Sequence, residues 1–181
     1  MRLRILLTAI VLAFLFSAQA RAASEAPAAE GLGALQFLLG AWEGEHSGKP
    51  GGGSGEFVFE AALDGKVLIR RSQTSFPATP QRPAFRHDDL LIVFVDPAGG
   101  KLRASYFDNE SHVIQYTVSV AADGRAATFL SDAAPNAPRF RLTYVAKNAD
   151  EVAVKFEIAP PGKPEAFATY LEGSAKRRAP R

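Results

Sequence analysis

The chain has 181 residues, of which 47% are hydrophobic and 22% are charged, with 15 Gly, 12 Pro and no Cys. This length predicts a single domain. The composition excludes a disordered chain, a collagen and a small fold held together by disulfides.

The first 22 residues have the pattern of a secretory signal peptide. Arg2 and Arg4 precede the apolar run Ile5–Phe16, and small residues with two Ala-x-Ala cleavage options follow it. The apolar run is shorter than the roughly 20 residues needed to cross a bilayer. No Cys follows it, so no lipoprotein anchor is expected. We therefore expect a periplasmic or secreted protein with no integral membrane segment after signal cleavage.

Signal cleavage changes the charge balance from the formal +2 of the whole chain. Removing Met1–Ala22 leaves 18 basic and 19 acidic residues, a formal net charge of −1. The basic residues near the carboxyl terminus are typical of a solvated tail. Because basic stripes interleaved with aromatic residues are lacking, the sequence does not favour a nucleic-acid partner.

The rest of the chain divides into a leader, one domain and a tail. We predict a flexible leader over 23–29, a folded domain over 30–177 and a basic tail over 178–181. Within the domain, Glu30–Leu39 predicts one short helix, after which the hydrophobic period becomes strand-like. Nine turn signals then separate ten candidate strands, at a spacing typical of an all-β barrel or sandwich.

Several predicted strands alternate apolar and polar residues, which indicates one face in the core and one in water. The apolar sets are Leu102/Ala104/Tyr106, His112/Ile114/Tyr116/Val118/Val120, Phe140/Leu142/Tyr144 and Val152/Val154/Phe156/Ile158. Leu90–Val95 is apolar throughout, which predicts a strand buried on both sides beneath the helix.

Ten antiparallel strands in one open sheet would expose two hydrophobic edges. Closure removes these edges, so we expect an all-β, antiparallel up-and-down β-barrel of about ten strands with a short N-terminal helix. A barrel of this size is wider than its side chains can fill, so it encloses a cavity. A two-sheet sandwich with a filled core is the alternative.

The hairpin between the fifth and sixth predicted strands places four residues at one end of the barrel. A three-residue loop over 109–111 pairs Asp108 with His112 and keeps the apolar residues on one face, whereas a two-residue loop mixes the two faces. Tyr106, Asp108, His112 and Tyr116 then line one inner surface, with the polar pair nearest the mouth.

Short segments of the sequence resemble lipocalin-like barrels. Leu35–Trp42 (L-Q-F-L-L-G-A-W) looks like the entry of such barrels, where a short helix leads into a G-x-W first strand, matched here by Gly40 and Trp42. The resemblance continues through 63–67, 106–109 and 170–173. Together these segments resemble a family of secreted bacterial proteins of unknown function in the calycin group, near the nitrobindin-like barrels. The resemblance implies a barrel that holds a small apolar molecule.

The resemblance also implies roles for individual residues. Gly40 and Trp42 would be structural, with Trp42 closing the barrel floor and Lys176 or Arg177 packed against it. Nitrobindin-like proteins hold haem through a His close to the carboxyl terminus, whereas Arg139–Arg181 contains no His. We therefore predict no cofactor.

The three His residues are His46, His87 and His112. His46 and His87 lie near carboxylates, but neither has a recognised metal-ligand spacing, so no metal site is predicted. A carboxylate beside an imidazole fixes its tautomer, so Asp108 and His112 would suit acid–base chemistry. The same two residue types also cap ordinary hairpins, and the sequence leaves both interpretations open.

Arg70 and Arg71 are adjacent on one predicted strand and therefore face opposite sides of it. Whichever side chain points inward must meet a carboxylate, such as Glu60 or Glu172, or the anionic head of a ligand. The sequence leaves open which of the two is inside.

These observations predict a protein that binds or carries a small, largely apolar ligand non-covalently in the barrel interior in the cell envelope. Such pockets are mainly aromatic and aliphatic. The predicted ligand contacts are Phe57, Phe59, Arg70, Tyr106, Asp108, His112, Tyr116, Tyr144 and Phe156. The alternatives are a barrel enzyme that uses Asp108 and His112 in acid–base chemistry, and a filled barrel that acts as an envelope interaction module.

Overall fold

The structure, a computed structural model, describes residues 31–179. The predicted signal peptide and leader lie outside the described residues. A 3₁₀ helix, Gly31–Leu38, precedes ten strands. The strands are β1 Gly40–Gly48, β2 Gly53–Ala62, β3 Val67–Phe76, β4 Phe85–Val95, β5 Leu102–Asp108, β6 Val113–Val120, β7 Ala126–Ser131, β8 Arg139–Asn148, β9 Glu151–Ala159 and β10 Ala168–Arg177.

The strands form one closed antiparallel barrel. Each strand pairs with its neighbours in the chain, and β1 pairs with β10 to close the sheet. The predicted all-β barrel of ten strands is confirmed, and the two-sheet sandwich is not what forms. Closure leaves no hydrogen-bonding edge among the described strands.

The helix is a 3₁₀ helix rather than an α-helix. Leu32, Leu35 and Leu38 are three residues apart, and side chains at that spacing eclipse one another in a helix of three residues per turn. Leu35 and Leu38 are fully buried, so this side of the helix packs into one end of the barrel. Within residues 31–179, no helix is long and apolar enough to cross a membrane.

The end of the barrel at the helix is tightly packed, and we call it the floor. The Trp42 side chain is 1% exposed, and its Nε1–H donates to the Leu38 carbonyl oxygen at 2.8 Å. The guanidinium carbon of Arg177 lies 4.2 Å from the Trp42 ring centroid. Arg177, rather than Lys176, is thus the basic residue that packs against the ring and adds a cation–π contact.

The predicted register of the β5–β6 hairpin is confirmed. Tyr106 pairs with Ile114 and Ala104 pairs with Tyr116. The Asp108 amide donates to the His112 carbonyl oxygen at 3.3 Å across the turn. The apolar sets predicted for this hairpin therefore share the inner face of the barrel.

The prediction that Leu90–Val95 is buried on both sides is wrong. Leu91 and Val93 are fully buried on the inner face, but Val95 is 40% exposed and Ile92 is only half-buried. The 3₁₀ helix packs against β4, but it lies across the barrel end, so the outer face stays partly in water.

Glycines on β1 and β10 allow the seam of the barrel to close. A Cβ atom added at Gly44 would lie 2.0 Å from the Ser174 carbonyl oxygen, and one added at Gly173 would lie 2.3 Å from the Glu45 carbonyl oxygen. Only glycine fits such close backbone approaches. The lack of side chains at these positions also leaves room inside the barrel next to the seam.

Candidate functional site

The barrel interior holds a cavity of about 590 Å³. The hairpin loops opposite the helix contribute Pro50, Arg82 and Glu110 to its wall, so the cavity opens at the end away from the floor. We call this end the mouth. Ligand pockets typically have volumes of about 300–1,000 Å³, so the interior is not a filled core and the filled-barrel alternative is not supported.

The cavity wall includes eight of the nine predicted ligand contacts. They are Phe57, Arg70, Tyr106, Asp108, His112, Tyr116, Tyr144 and Phe156. Phe59 does not line the cavity. Phe59 is 1% exposed and lies on the floor side of the cavity, where it packs edge-on against Phe57 and Tyr144. Contact between these residues and a ligand stays a prediction.

Arg70 is the charged group deepest in the interior. It is 5% exposed, and its guanidinium forms an ion pair with Asp89 and donates a hydrogen bond to the Tyr144 hydroxyl. Burial by itself lowers the pKa of Arg70, but the Asp89 carboxylate and Tyr144 outweigh this effect and raise it. The side chain is therefore a cation whose charge is balanced inside the protein.

The prediction that Glu60 or Glu172 is the partner of the buried arginine is wrong. Glu60 lies outside the barrel, where it pairs with Arg71, and both side chains are more than half exposed. Glu172 lines the outer surface rather than the cavity. The partner is Asp89 because the β3–β4 register places Ser72 opposite Asp89 and Arg70 opposite Leu91, so Arg70 and Asp89 are inward-facing diagonal neighbours.

Five polar side chains form a continuous hydrogen-bonded chain at the mouth. His87 contacts the Glu110 carboxylate through Nδ1 at 2.8 Å and the Tyr106 hydroxyl through Nε2 at 2.9 Å. The Tyr106 hydroxyl donates to Asp108 Oδ2 at 3.3 Å, and the same oxygen lies 2.8 Å from His112 Nδ1. We call this set the mouth chain. It links the aromatic interior to solvent, because the His112 side chain is 57% exposed.

Asp108 and Tyr106 of the mouth chain, and Tyr116 behind it, have perturbed pKa values. Burial by itself raises the pKa of Asp108, but hydrogen bonds from the His112 amide and ring and from the Glu110 amide lower it overall. Burial raises the pKa of Tyr106 and of Tyr116 well above its usual range. The cavity therefore presents neutral hydroxyl groups beside an ionised carboxylate.

Two histidines on the cavity wall were missed as ligand contacts because the sequence suggested them only as metal ligands. The inward position of His87 could have been predicted from the alternation of β4, where Phe85, His87 and Asp89 share the inner face. His46 lies 5.0 Å from the Phe76 ring between centroids, and its buried ring nitrogens have no hydrogen-bond partner among residues 31–179. Burial lowers the pKa of His46. No cluster of His, Asp or Glu suited to a metal ion occurs in this described part of the chain.

The loop over 77–84 folds against the mouth. The Arg82 guanidinium carbon lies 4.2 Å from the Phe85 ring centroid, and its Nη2 donates to the Pro50 carbonyl oxygen at 2.6 Å. Phe85 in turn stacks on Phe76, with centroids 4.4 Å apart. Arg82 thus ties the β3–β4 loop to the β1–β2 loop.

The residues present do not fit a haem held from the last strands. Strands β8, β9 and β10 contribute Phe140, Phe156 and Tyr170 to the cavity wall, and Arg139–Arg181 contains no His. The histidine ligand that the resemblance implies is therefore absent from these strands.

A second depression, of about 1,080 Å³, lies outside the barrel over β8–β10 and β1. It is wide open to solvent and includes charged side chains such as Lys155 and Glu172. Because it lacks an enclosed aromatic wall, we place the candidate site in the interior.

Fold and cavity define the chain as a ten-stranded closed β-barrel with a ligand-sized interior. No family model matches the chain, and no curated protein sequence is similar to it. Among solved structures it is similar to Rv2717c from M. tuberculosis, with 21% identity, a TM-score of 0.56, and coverage of 85% of this chain and 99% of that chain. This likeness shows a shared fold.

Two further solved structures are less similar to the chain. A fluorescence-activating β-barrel designed de novo has 12% identity, a TM-score of 0.42, and coverage of 80% of this chain and 97% of that chain. The EF1p2_mFAP2b structure bound to DFHBI has 11% identity, a TM-score of 0.40 and the same coverage. The lipocalin-like, nitrobindin-like resemblance stays a prediction.

Proposed function

We propose that the protein binds or carries a small, largely apolar molecule non-covalently inside the barrel. The observation that carries this proposal is the cavity of about 590 Å³ between a packed floor and a polar mouth. Burial of apolar ligand surface against aromatic side chains supplies the driving force. The mouth chain supplies a polar rim that orients one end of the ligand.

The direct test is a fluorescence titration with N-phenylnaphthylamine, an uncharged apolar dye that brightens when it leaves water. For a ligand of this size we expect a dissociation constant in about the micromolar range. Saturable binding supports the proposal, and the absence of binding contradicts it.

A matched pair of variants on β3 locates the bound dye. Ser72 lines the cavity, whereas Ser75 is exposed on the opposite face of the same strand. Ser72→Phe should occupy part of the cavity and weaken binding by at least about tenfold, and Ser75→Phe should leave it unchanged. Equal binding by the two variants would place the dye elsewhere and overturn the proposal.

We also propose that the protein works in the periplasm or outside the cell. The support is the signal-peptide pattern over Met1–Ala22. Fractionation of the producing cells, with sequencing of the amino terminus, tests it. Retention of an unprocessed chain in the cytoplasm would contradict it.

Acid–base catalysis in the same cavity is a second candidate function. It is favoured by the 2.8 Å contact between His112 Nδ1 and Asp108 Oδ2. If Nδ1–H donates to Asp108, then Nε2 is the proton acceptor. The test is to incubate the molecule recovered from the protein with wild type and with His112→Ala, and to separate the products by chromatography. Conversion by wild type alone supports catalysis, and an unchanged molecule contradicts it.

A further inference from the structure

The cationic side chains of the cavity already have partners. Among the described residues, those that line it are Arg70 and Arg82. The Arg70 and Asp89 side chains are each only 7% exposed and form a closed ion pair. The Arg82 guanidinium is stacked on Phe85 and donates to a backbone carbonyl. The charge of Arg70 is thus compensated by a carboxylate, and the Arg82 guanidinium is held at the mouth by a ring and a carbonyl oxygen.

The permanently charged side chains that face the cavity are three carboxylates and two guanidinium groups. The carboxylates are Asp89, Asp108 and Glu110, and the guanidinium groups are those of Arg70 and Arg82, whereas Glu45 and Glu56 are exposed. Moving an anion into this interior would remove its hydration and place it near the Asp89 and Asp108 carboxylates, while the one guanidinium at that depth, that of Arg70, is already paired with Asp89. The charges of the wall therefore oppose anionic ligands.

Uncharged aromatic ligands meet no such cost. Tyr106 and Tyr116 pack edge-to-face, with centroids 6.4 Å apart, and Phe57 packs edge-on against Tyr144 at 5.7 Å. Aromatic rings gain from offset or edge-on contacts with such a wall.

We infer that the cavity selects uncharged aromatic ligands and rejects anions of the same shape, because Asp89 neutralises Arg70. This inference rests on the proposed function, since it names the ligand class of the same cavity. It assigns Asp89 a role in specificity in addition to its role in the fold.

A pair of dyes with one skeleton tests the selection. N-phenylnaphthylamine is uncharged, and anilinonaphthalene sulfonate is the same skeleton with an added sulfonate. At about pH 8, above the ordinary titration range of imidazole, we expect the uncharged dye to bind at least about tenfold more tightly. The Ser72→Phe variant identifies the signal that comes from the cavity.

The outcomes separate this inference from the proposed function. If neither dye binds, the proposed function fails and the inference fails with it. If the sulfonate binds in the cavity as tightly as the uncharged dye, the proposed function stands and the inference is overturned.

The Asp89→Asn variant tests whether Asp89 is the reason that the cavity rejects anions. It keeps the shape of the side chain but leaves the charge of Arg70 uncompensated, so we expect the sulfonate to bind about tenfold more tightly than in wild type. The control is Glu60→Gln, which removes the carboxylate from the exposed Arg71 pair and should change neither dye. An unchanged sulfonate affinity in folded Asp89→Asn would overturn the role of Asp89. If this variant does not fold, the wild-type comparison of the two dyes still decides the selection.

Discussion

The floor and the mouth of this barrel are built differently: the floor is packed with apolar side chains, and the mouth is lined by polar side chains around an open cavity. At the floor, Leu35, Leu38 and Trp42 are 0–1% exposed, and the single indole N–H is satisfied by a backbone carbonyl. At the mouth, side chains satisfy one another in the mouth chain and leave about 590 Å³ unfilled. Changes at the floor should therefore act on stability, whereas changes at the mouth should act mainly on binding.

The largest expected effect is at the floor. Trp42→Ala removes a fully buried ring, its hydrogen bond to Leu38 and its contact with Arg177. We expect the free energy of unfolding to fall by about 3–5 kcal/mol, as measured by urea denaturation. Phe156→Ala, beside the open cavity, should cost clearly less because its removal enlarges an existing space. Equal losses would contradict the contrast between the two ends.

The next largest effect is at the buried ion pair between floor and mouth. Arg70→Met leaves the Asp89 carboxylate buried without its partner, so we expect a loss of about 3 kcal/mol. The double variant Arg70→Met/Asp89→Leu removes both charges and should recover most of that loss. Urea denaturation of both variants checks this, and a double variant no more stable than the single one would contradict the pairing.

A smaller, pH-dependent effect is expected at the mouth. The pKa of Asp108 is lowered in the folded protein, so its carboxylate stabilises the fold above the ordinary aspartate pKa of about 4. That stability is lost as the pH falls through the lowered folded value. Asp108→Asn should cost about 1 kcal/mol at neutral pH, with the difference from wild type shrinking in acid. A difference that is constant with pH would refute this role.

The smallest effect is on the outer surface. Arg71→Met breaks the ion pair with Glu60, in which both side chains are more than half exposed. We expect a loss below about 1 kcal/mol by urea denaturation, because exposed ion pairs contribute little. A loss as large as that of Arg70→Met would contradict the distinction between the two faces of β3.

Local patterns predicted the hairpins better than the pairing across long loops. The β5–β6 register followed from a three-residue turn and alternation, so the Asp108–His112 pair was found from the sequence. The partner of Arg70 was not found, because the segment over 77–84 is too long to fix the β3–β4 register. Only the folded barrel shows that Asp89 faces Arg70.

Alternation gives the face of a residue but not its depth. Phe57 and Phe59 both point inward, yet only Phe57 reaches the cavity. The level at which the core ends depends on Trp42 and on the helix leucines that fill the floor. These contacts join distant parts of the chain, so no local pattern could place the lower limit of the site.

We expect the mouth-side cavity to hold a small molecule in the cell. Native mass spectrometry of the protein purified from its own host, followed by denaturation and analysis of the organic extract, tests this expectation. We expect a stoichiometric, uncharged aromatic adduct that Ser72→Phe loses and Ser75→Phe keeps. A wild-type protein with no adduct, whose mass is unchanged after incubation with host extract, would contradict it.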